Sequence, residues 1–156
     1  MSEDTNFTGD NLMGRSANKQ PRTRPAPRLE TEDAVAIAAR AATDKKATDL
    51  VVLDLRKAAS FTEYFLICTG ASTRQVQAIS DAVEELLRKS GKRPLHIEGY
   101  SSAEWILLDY GDFIAHVFAP TSRRFYDLER LWRDAPRVEV GSDEVKRDAR
   151  NVKSEA

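Results

Sequence analysis

Along the middle of the chain apolar residues recur with two periods, one helical and one of two residues, and both fade toward the ends. From Ala34 to Ala42 small apolar residues dominate, with Val35, Ala38, Ala39 and Ala42 on one helical face. Thr31 with Glu32 and Asp33 supplies the helix start. The run Leu50 to Leu55 alternates, sending Val51, Leu53 and Leu55 one way and Val52 and Asp54 the other, as a half-buried strand does. Tyr64 to Thr69 repeats the pattern. Gly70 breaks that strand, and Ser72 or Thr73 can accept from the free amides of a new helix. In this helix Val76, Ile79, Val83, Leu86 and Leu87 keep helical spacing until Gly91 closes it. Pro94 to Glu98 reads as a short strand whose proline suits an edge. Trp105 to Tyr110 and Phe113 to Ala119 are two further strand runs, separated by Gly111 and Asp112 as a hairpin loop. Pro120 ends the second. Thr121 or Ser122 then caps a last helix with the stripe Phe125, Leu128 and Trp132, which stops before Pro136.

Helix, two strands, helix, three strands, helix describes a single mixed α/β (α+β) domain in which helices flank one mixed sheet. Its bounds are about 29 to 140. Residues 1–28 are polar and carry Pro21, Pro25 and Pro27, and 141–156 are small and charged, so both are expected to be disordered tails. At 156 residues with 41% hydrophobic content there is material for one core and no second. The 24 basic and 25 acidic residues leave a net charge of −1, so no overall field draws the chain onto nucleic acid or an anionic membrane. Recognition by shape follows. A single cysteine, Cys68, in the run Phe65-Leu66-Ile67-Cys68 excludes an internal disulfide and reads as a buried thiol in a reducing compartment. No segment has the roughly 20 apolar residues of a membrane span, nor does the start resemble a signal peptide. The expectation is a cytoplasmic protein. A transit peptide is the minor alternative from Arg15, Lys19, Arg22, Arg24 and Arg28, against which Glu3, Asp4 and Asp10 count.

If Gly111 and Asp112 form the loop, Tyr110 opposes Phe113, Asp109 opposes Ile114, Leu107 opposes His116, and Trp105 opposes Phe118. One face then carries Ile106, Leu108, Tyr110, Phe113, Ala115 and Val117, continuously apolar and therefore the core side. The other mixes Trp105, Leu107, Ile114 and Phe118 with Asp109 and His116. Aromatic anchors among a few polar groups characterise binding surfaces. The competing reading is that a helix covers this face and Asp109 bonds a backbone amide. Asp109 and His116 lie diagonally and could pair, but without a third orienting group a structural pair is favoured over acid-base work.

Other candidate chemistry is thinner. Thr69-Gly70-Ala71-Ser72-Thr73-Arg74 could present amides to a phosphate at a helix start, but it lacks the P-loop lysine and the three glycines of a dinucleotide fingerprint. A hydroxyl-capped glycine turn accounts for it without a ligand. His96 and Glu98 share a strand face and are only two metal ligands. A nucleotidyl transferase would need two carboxylates on one strand face for magnesium, and no such pair is evident. No cofactor or metal is expected, and catalysis has no visible machinery.

Thr69-Gly70 with Ser72, Arg74 and Gln75, then Glu98-Gly99, then Trp105 through Val117, then Tyr126-Asp127-Leu128-Glu129-Arg130-Leu131-Trp132, together resemble the Iojap family of ribosomal silencing factors. The resemblance covers about 29 to 137 in order and spacing, and leaves out both tails. It implies a nucleotidyltransferase-like fold lacking the catalytic carboxylates, and a protein that is no enzyme. It further implies binding to the large ribosomal subunit through ribosomal protein number fourteen, a block on joining of the small subunit, and repression of translation when nutrients are short. Carried onto this chain, the partner-binding candidates are Trp105, Asp109, Tyr110, His116, Tyr126, Leu131 and Trp132, with Leu107 added from the mixed hairpin face. Tyr110 is in tension with the register, which turns it toward the core. Family members also self-associate, and a homodimer could form at the edge Pro94 to Glu98 or on the mixed hairpin face. The basic N-terminal tail is a candidate for weak ribosomal RNA contact, and an active nucleotidyl transferase is the remaining rival.

Overall fold

The computed structural model describes residues 29–139. The expected tails at 1–28 and 141–156, together with Val140, lie outside the described residues. Helix α1 spans Thr31–Asp44, strand β1 Thr48–Asp54, β2 Tyr64–Thr69, helix α2 Thr73–Lys89, β3 His96–Glu98, β4 Trp105–Asp109, β5 Phe113–Phe118, helix α3 Pro120–Tyr126, helix α4 Leu128–Leu131 and β6 Arg137–Val138. The strands form one six-stranded sheet in the order β3-β4-β5-β2-β1-β6. All pairs are antiparallel except β2 with β5, whose parallel junction at the sheet centre is the crossover made by α2 and the β3-β4 strands. The fold is thus the expected mixed sheet with helices against it.

The hairpin register is as expected: Trp105 opposes Phe118, Leu107 opposes His116 and Asp109 opposes Ile114. The amide of Tyr110 donates to the carbonyl of Phe113 at 2.9 Å, and Gly111, at φ 88, makes the turn. Alternation divides the sheet between two apolar layers. Val52, Leu66, Cys68, Ile106, Leu108, Tyr110, Phe113, Ala115 and Val117 pack under α1 and α2. Leu53, Leu55, Phe65, Ile67, Ile114 and Phe118 pack on the other side against Leu128, Trp132 and Ala135. Both β1 and β2 were expected to be half-buried. Instead Val52 and Leu53 are each buried, and every residue of β2 is buried, because these strands are covered on both faces. Cys68 is a buried free thiol, and desolvation pushes its pKa up to about 12.

Helix α2 begins as read. Ser72 Oγ accepts from the Gln75 amide at 3.1 Å, and Val76, Ile79, Val83 and Leu87 are buried, while Leu86 is half-buried. Its start explains the Gly70 motif. A side chain at Gly70 would sit 2.9 Å from Val76 Cγ2, and the Gln75 amide oxygen takes the Ala71 amide at 2.7 Å while its nitrogen donates to the carbonyls of Lys45 and Lys46. The turn is closed by the chain itself and braces α2 against the end of α1.

The C-terminal part departs from expectation. Ala119 is the N-cap of α3 with no side-chain cap, so neither Thr121 nor Ser122 serves, and Pro120 opens the helix as well as ending the strand. The expected continuous stripe Phe125, Leu128, Trp132 is broken at Asp127, which adopts a left-handed conformation at φ 48 and ψ 57. Arg123 spans the break, donating to Glu129 Oε2 at 2.6 Å and to Thr69 Oγ1 at 2.8 Å. Phe125 therefore points outward, 78% exposed. Strand β6, which the sequence reading did not anticipate, pairs Val138 with Val52 and Arg137 with Leu53.

Candidate functional site

The face of the β4-β5 hairpin that the sequence leaves mixed is neither bare nor fully covered. Helices α3 and α4 and the turn after them lie over its β5 side, so Ile114, His116 and Phe118 are buried, whereas Trp105, Leu107 and Asp109 on β4 remain half-buried. Trp105 stacks on Phe118 at 5.0 Å between ring centroids and meets Tyr126 of α3 at 4.5 Å. Its indole N–H donates to His116 Nδ1 at 3.1 Å. His116 in turn meets Phe65 edge-on at 4.4 Å, and Phe65 meets Trp132 edge-on at 5.9 Å. Trp132 is followed by Phe61 at 6.0 Å. An aromatic seam thus crosses the molecule from Tyr126 to Phe61, buried in its middle and open at both ends.

The seam fixes the state of His116. Indole N–H is a donor only, so Nδ1 must be an unprotonated acceptor and the ring a neutral tautomer with its proton on Nε2. Burial at 3% exposure pushes the same way, holding the pKa down to about 3. Nε2 has no hydrogen-bond partner. His116 therefore serves as an acceptor that orients Trp105, so it underlies the candidate surface as a support and is not itself exposed on it. Tyr110 lies where the register turns it: it is 5% exposed, stacked on Phe113 at 4.9 Å within the layer under α1 and α2. Here the register was the better guide.

The expected Asp109–His116 pair is not formed. Asp109 Oδ1 instead accepts from the Gly111 amide at 2.8 Å, a turn-forming bond inside the hairpin loop, and Oδ2 faces His96 Nε2 across the strands at 3.8 Å. His96 Nε2 lies 3.1 Å from Glu98 Oε2, so the two edge residues are partners on an exposed strand. Among the described residues no group of three or more His, Cys, Asp or Glu side chains is arranged to hold a metal ion.

Of the candidate residues, Trp105, Leu107, Asp109, Tyr126, Leu131 and Trp132 are reachable from solvent on one side of the molecule, with Leu131 72% exposed and Tyr126 48% exposed. Two residues of this side were missed by sequence reasoning. Phe61, 57% exposed, sits in the loop between β1 and β2 where no periodicity marks it; Phe125 falls in the helical stripe with Leu128 and Trp132, which does not single it out as exposed. An exposed group of aromatic and leucine side chains at the mouth of a packed seam has the make-up of a docking surface.

The Glu98-Gly99 pair has a role in placing that surface. Gly99 is at φ 80, and a Cβ there would collide with the Trp105 carbonyl oxygen. Only glycine lets the chain return so closely onto the start of β4.

Comparison with known proteins now bears on these features. The model of one family, described as ribosomal silencing factor during starvation (RsfS), matches residues 28–156. The chain belongs to the RsfS family. Its sequence is 38% identical over 112 residues to the ribosomal silencing factor RsfS of Halalkalibacterium halodurans, covering 72% of this chain and 96% of that one. It is 41% identical over 104 residues to the RsfS of Bacillus subtilis, covering 67% and 88%. A crystal structure of a protein from Chromobacterium violaceum superposes with a TM-score of 0.66 at 36% identity, covering 67% of this chain and 87% of that chain. The Iojap-like motifs fall where the fold needs them: Gly70 and Gln75 at the α1-α2 brace, Gly99 beneath Trp105, and Glu129 on Arg123. Among the described residues no helix is long and apolar enough to cross a membrane.

Proposed function

We propose that this protein docks on the large ribosomal subunit, chiefly against ribosomal protein number fourteen, and represses translation in nutrient-poor or stationary cells by occupying the place where the small subunit must join. It acts in the cytoplasm and by binding, with no bond made or broken. The observation that supports this reading is the open end of the aromatic seam. Trp105 is held by Phe118, Tyr126 and His116 yet stays partly exposed, with Leu131 lining the surface next to Tyr126 and Trp132 half-buried toward the seam's other end. A pre-positioned aromatic loses little freedom on binding, which is what makes such residues energetic anchors. Family membership supplies the ribosome as the partner. An interface of ordinary size, roughly 1,600 Å² in total, is enough, since bulk at the subunit boundary does the rest.

Truncating a central anchor commonly costs about 2 kcal/mol or more, so Trp105→Ala should bind large subunits roughly thirtyfold more weakly, with Lys89→Ala on α2 unchanged. Because Trp105 also packs inside, Leu131→Asp, at an exposed site, is the second variant: it should weaken binding while leaving thermal unfolding unaltered. Equal binding by folded wild type and Leu131→Asp in a sedimentation assay would remove this face from consideration.

Self-association is a second reading, favoured by a different feature. Strand β3 lies at the sheet edge with Leu95, 72% exposed, immediately before it. If two copies pair there, Leu95→Asp lowers the mass seen in sedimentation equilibrium without touching the docking face. The basic N-terminal tail remains a proposed weak contact to ribosomal RNA.

A further inference from the structure

We propose that the junction of α3 and α4 is an RNA-binding patch, in which Phe125 stacks on an unpaired base while Arg124, Arg130 and Arg133 contact the neighbouring phosphates. The reading of the protein as a large-subunit binder enters only as the source of that RNA.

The left-handed turn at Asp127 splays α3 from α4 and opens a shallow hollow of about 580 Å³, lined by Arg124, Phe125, Tyr126, Arg130, Leu131 and Arg133. Asp127 and Asp134 also line it. Phe125 belongs to neither core layer and stands 78% exposed, supported edge-on by Tyr126 at 5.0 Å. Arg123, one residue earlier, shows what a structural arginine looks like here: its guanidinium is engaged by Glu129 and Thr69. Arg124, Arg130 and Arg133 differ. All three are exposed, and among the described residues none takes part in an ion pair or side-chain hydrogen bond.

Three uncommitted guanidiniums around a projecting ring are poorly matched by an apolar protein surface, which would leave the charges desolvated and unpaired. They suit a single strand of RNA, whose phosphates accept from the guanidinium forks and whose bases offer a flat face to the ring. The chain as a whole carries a net charge of −1, so this attraction is local to the patch and sets orientation on the subunit instead of drawing the protein to any nucleic acid.

The test uses the full chain and a fluorescein-labelled single-stranded RNA 12-mer, with binding read by anisotropy across a salt series. Wild type should bind, with affinity falling as salt rises, and each of Arg124→Gln, Arg130→Gln and Arg133→Gln should reduce the slope of log affinity against log salt by about 0.7. Phe125→Ala should weaken binding roughly tenfold or more with the slope unchanged. Absence of RNA binding by wild type, or the same slope in the triple arginine variant, overturns the patch; the latter result would shift the contact to the basic tail. Sedimentation with large subunits separates the two readings. Wild type that binds RNA but not subunits refutes the docking reading alone, and a triple variant with unaltered RNA and subunit binding refutes the patch alone.

Discussion

His116 is a buried ring whose neutral form is held by two independent causes, desolvation and the hydrogen bond accepted from Trp105. Its folded pKa of about 3 lies below the unfolded value of 6.5. Between those values the unfolded chain binds the extra proton, so the stability owed to neutral His116 is complete above about pH 6.5 and is lost as pH falls, at roughly 1.4 kcal/mol per unit. From pH 7 to pH 5 the group should remove about 2 kcal/mol. His116→Phe lacks this dependence, so urea unfolding at the two pH values should show a smaller acid loss for the variant by that amount, although it starts less stable for want of the indole acceptor. A parallel loss in both proteins would mean that His116 does not titrate as described. The register made His116 legible as the neighbour of Leu107 and Trp105, but its burial was not. The rings that enclose it are Phe65, Trp105 and Phe118, and Phe65 is in turn met by Trp132 where the chain after α4 folds back, which no local pattern around residue 116 encodes. Tyr110 is the opposite case, since strand alternation alone placed it under α1 and α2.

At the scale of elements, the hairpin is fixed at both ends by contacts that single substitutions can remove. Asp112 in its loop accepts from Thr31 Oγ1 at 2.9 Å and from Lys92 Nζ at 3.1 Å, tying the turn to the start of α1 and the exit of α2. The pair is partly buried, with side-chain exposures of 16% and 24%, so Asp112→Ala should cost roughly 1 to 2 kcal/mol in chemical unfolding. At the other end Gly99→Ala would force a Cβ against the Trp105 carbonyl at a positive φ, and should destabilise by about 2 kcal/mol or more while shifting the near-ultraviolet signal of the tryptophans. An unchanged spectrum and midpoint would show that this close approach places nothing. Strands and the α2 cap were readable because alternation and capping are local codes. The break between α3 and α4 was not, because a single left-handed residue, Asp127, leaves the apolar spacing of a continuous helix intact. It is stabilised by Arg123 and Glu129, which at six residues apart would not meet on one. Strand β6 is two residues long and exists through its pairing with β1, a partner more than eighty residues away.

In the whole molecule, the sheet separates two layers with different work. The side under α1 and α2 is a closed core, whereas the side under α3 and α4 is covered only in part, leaving Trp105, Tyr126, Leu131 and Trp132 along its open margin. The sequence made the first side plain and marked the second as mixed without saying how much of it was covered. The domain belongs to the RsfS family, and the glycine turn at Gly70 is used for packing, with the Ala71 amide taken by Gln75. The most direct test of silencing by docking is a sucrose gradient of purified ribosomal subunits with the full chain, run under conditions that favour joining. The expected result is co-migration of the protein with the large subunit and a fall in the joined-ribosome peak, both lost with Leu131→Asp. Protein left at the top of the gradient, with joined ribosomes undiminished, would contradict it.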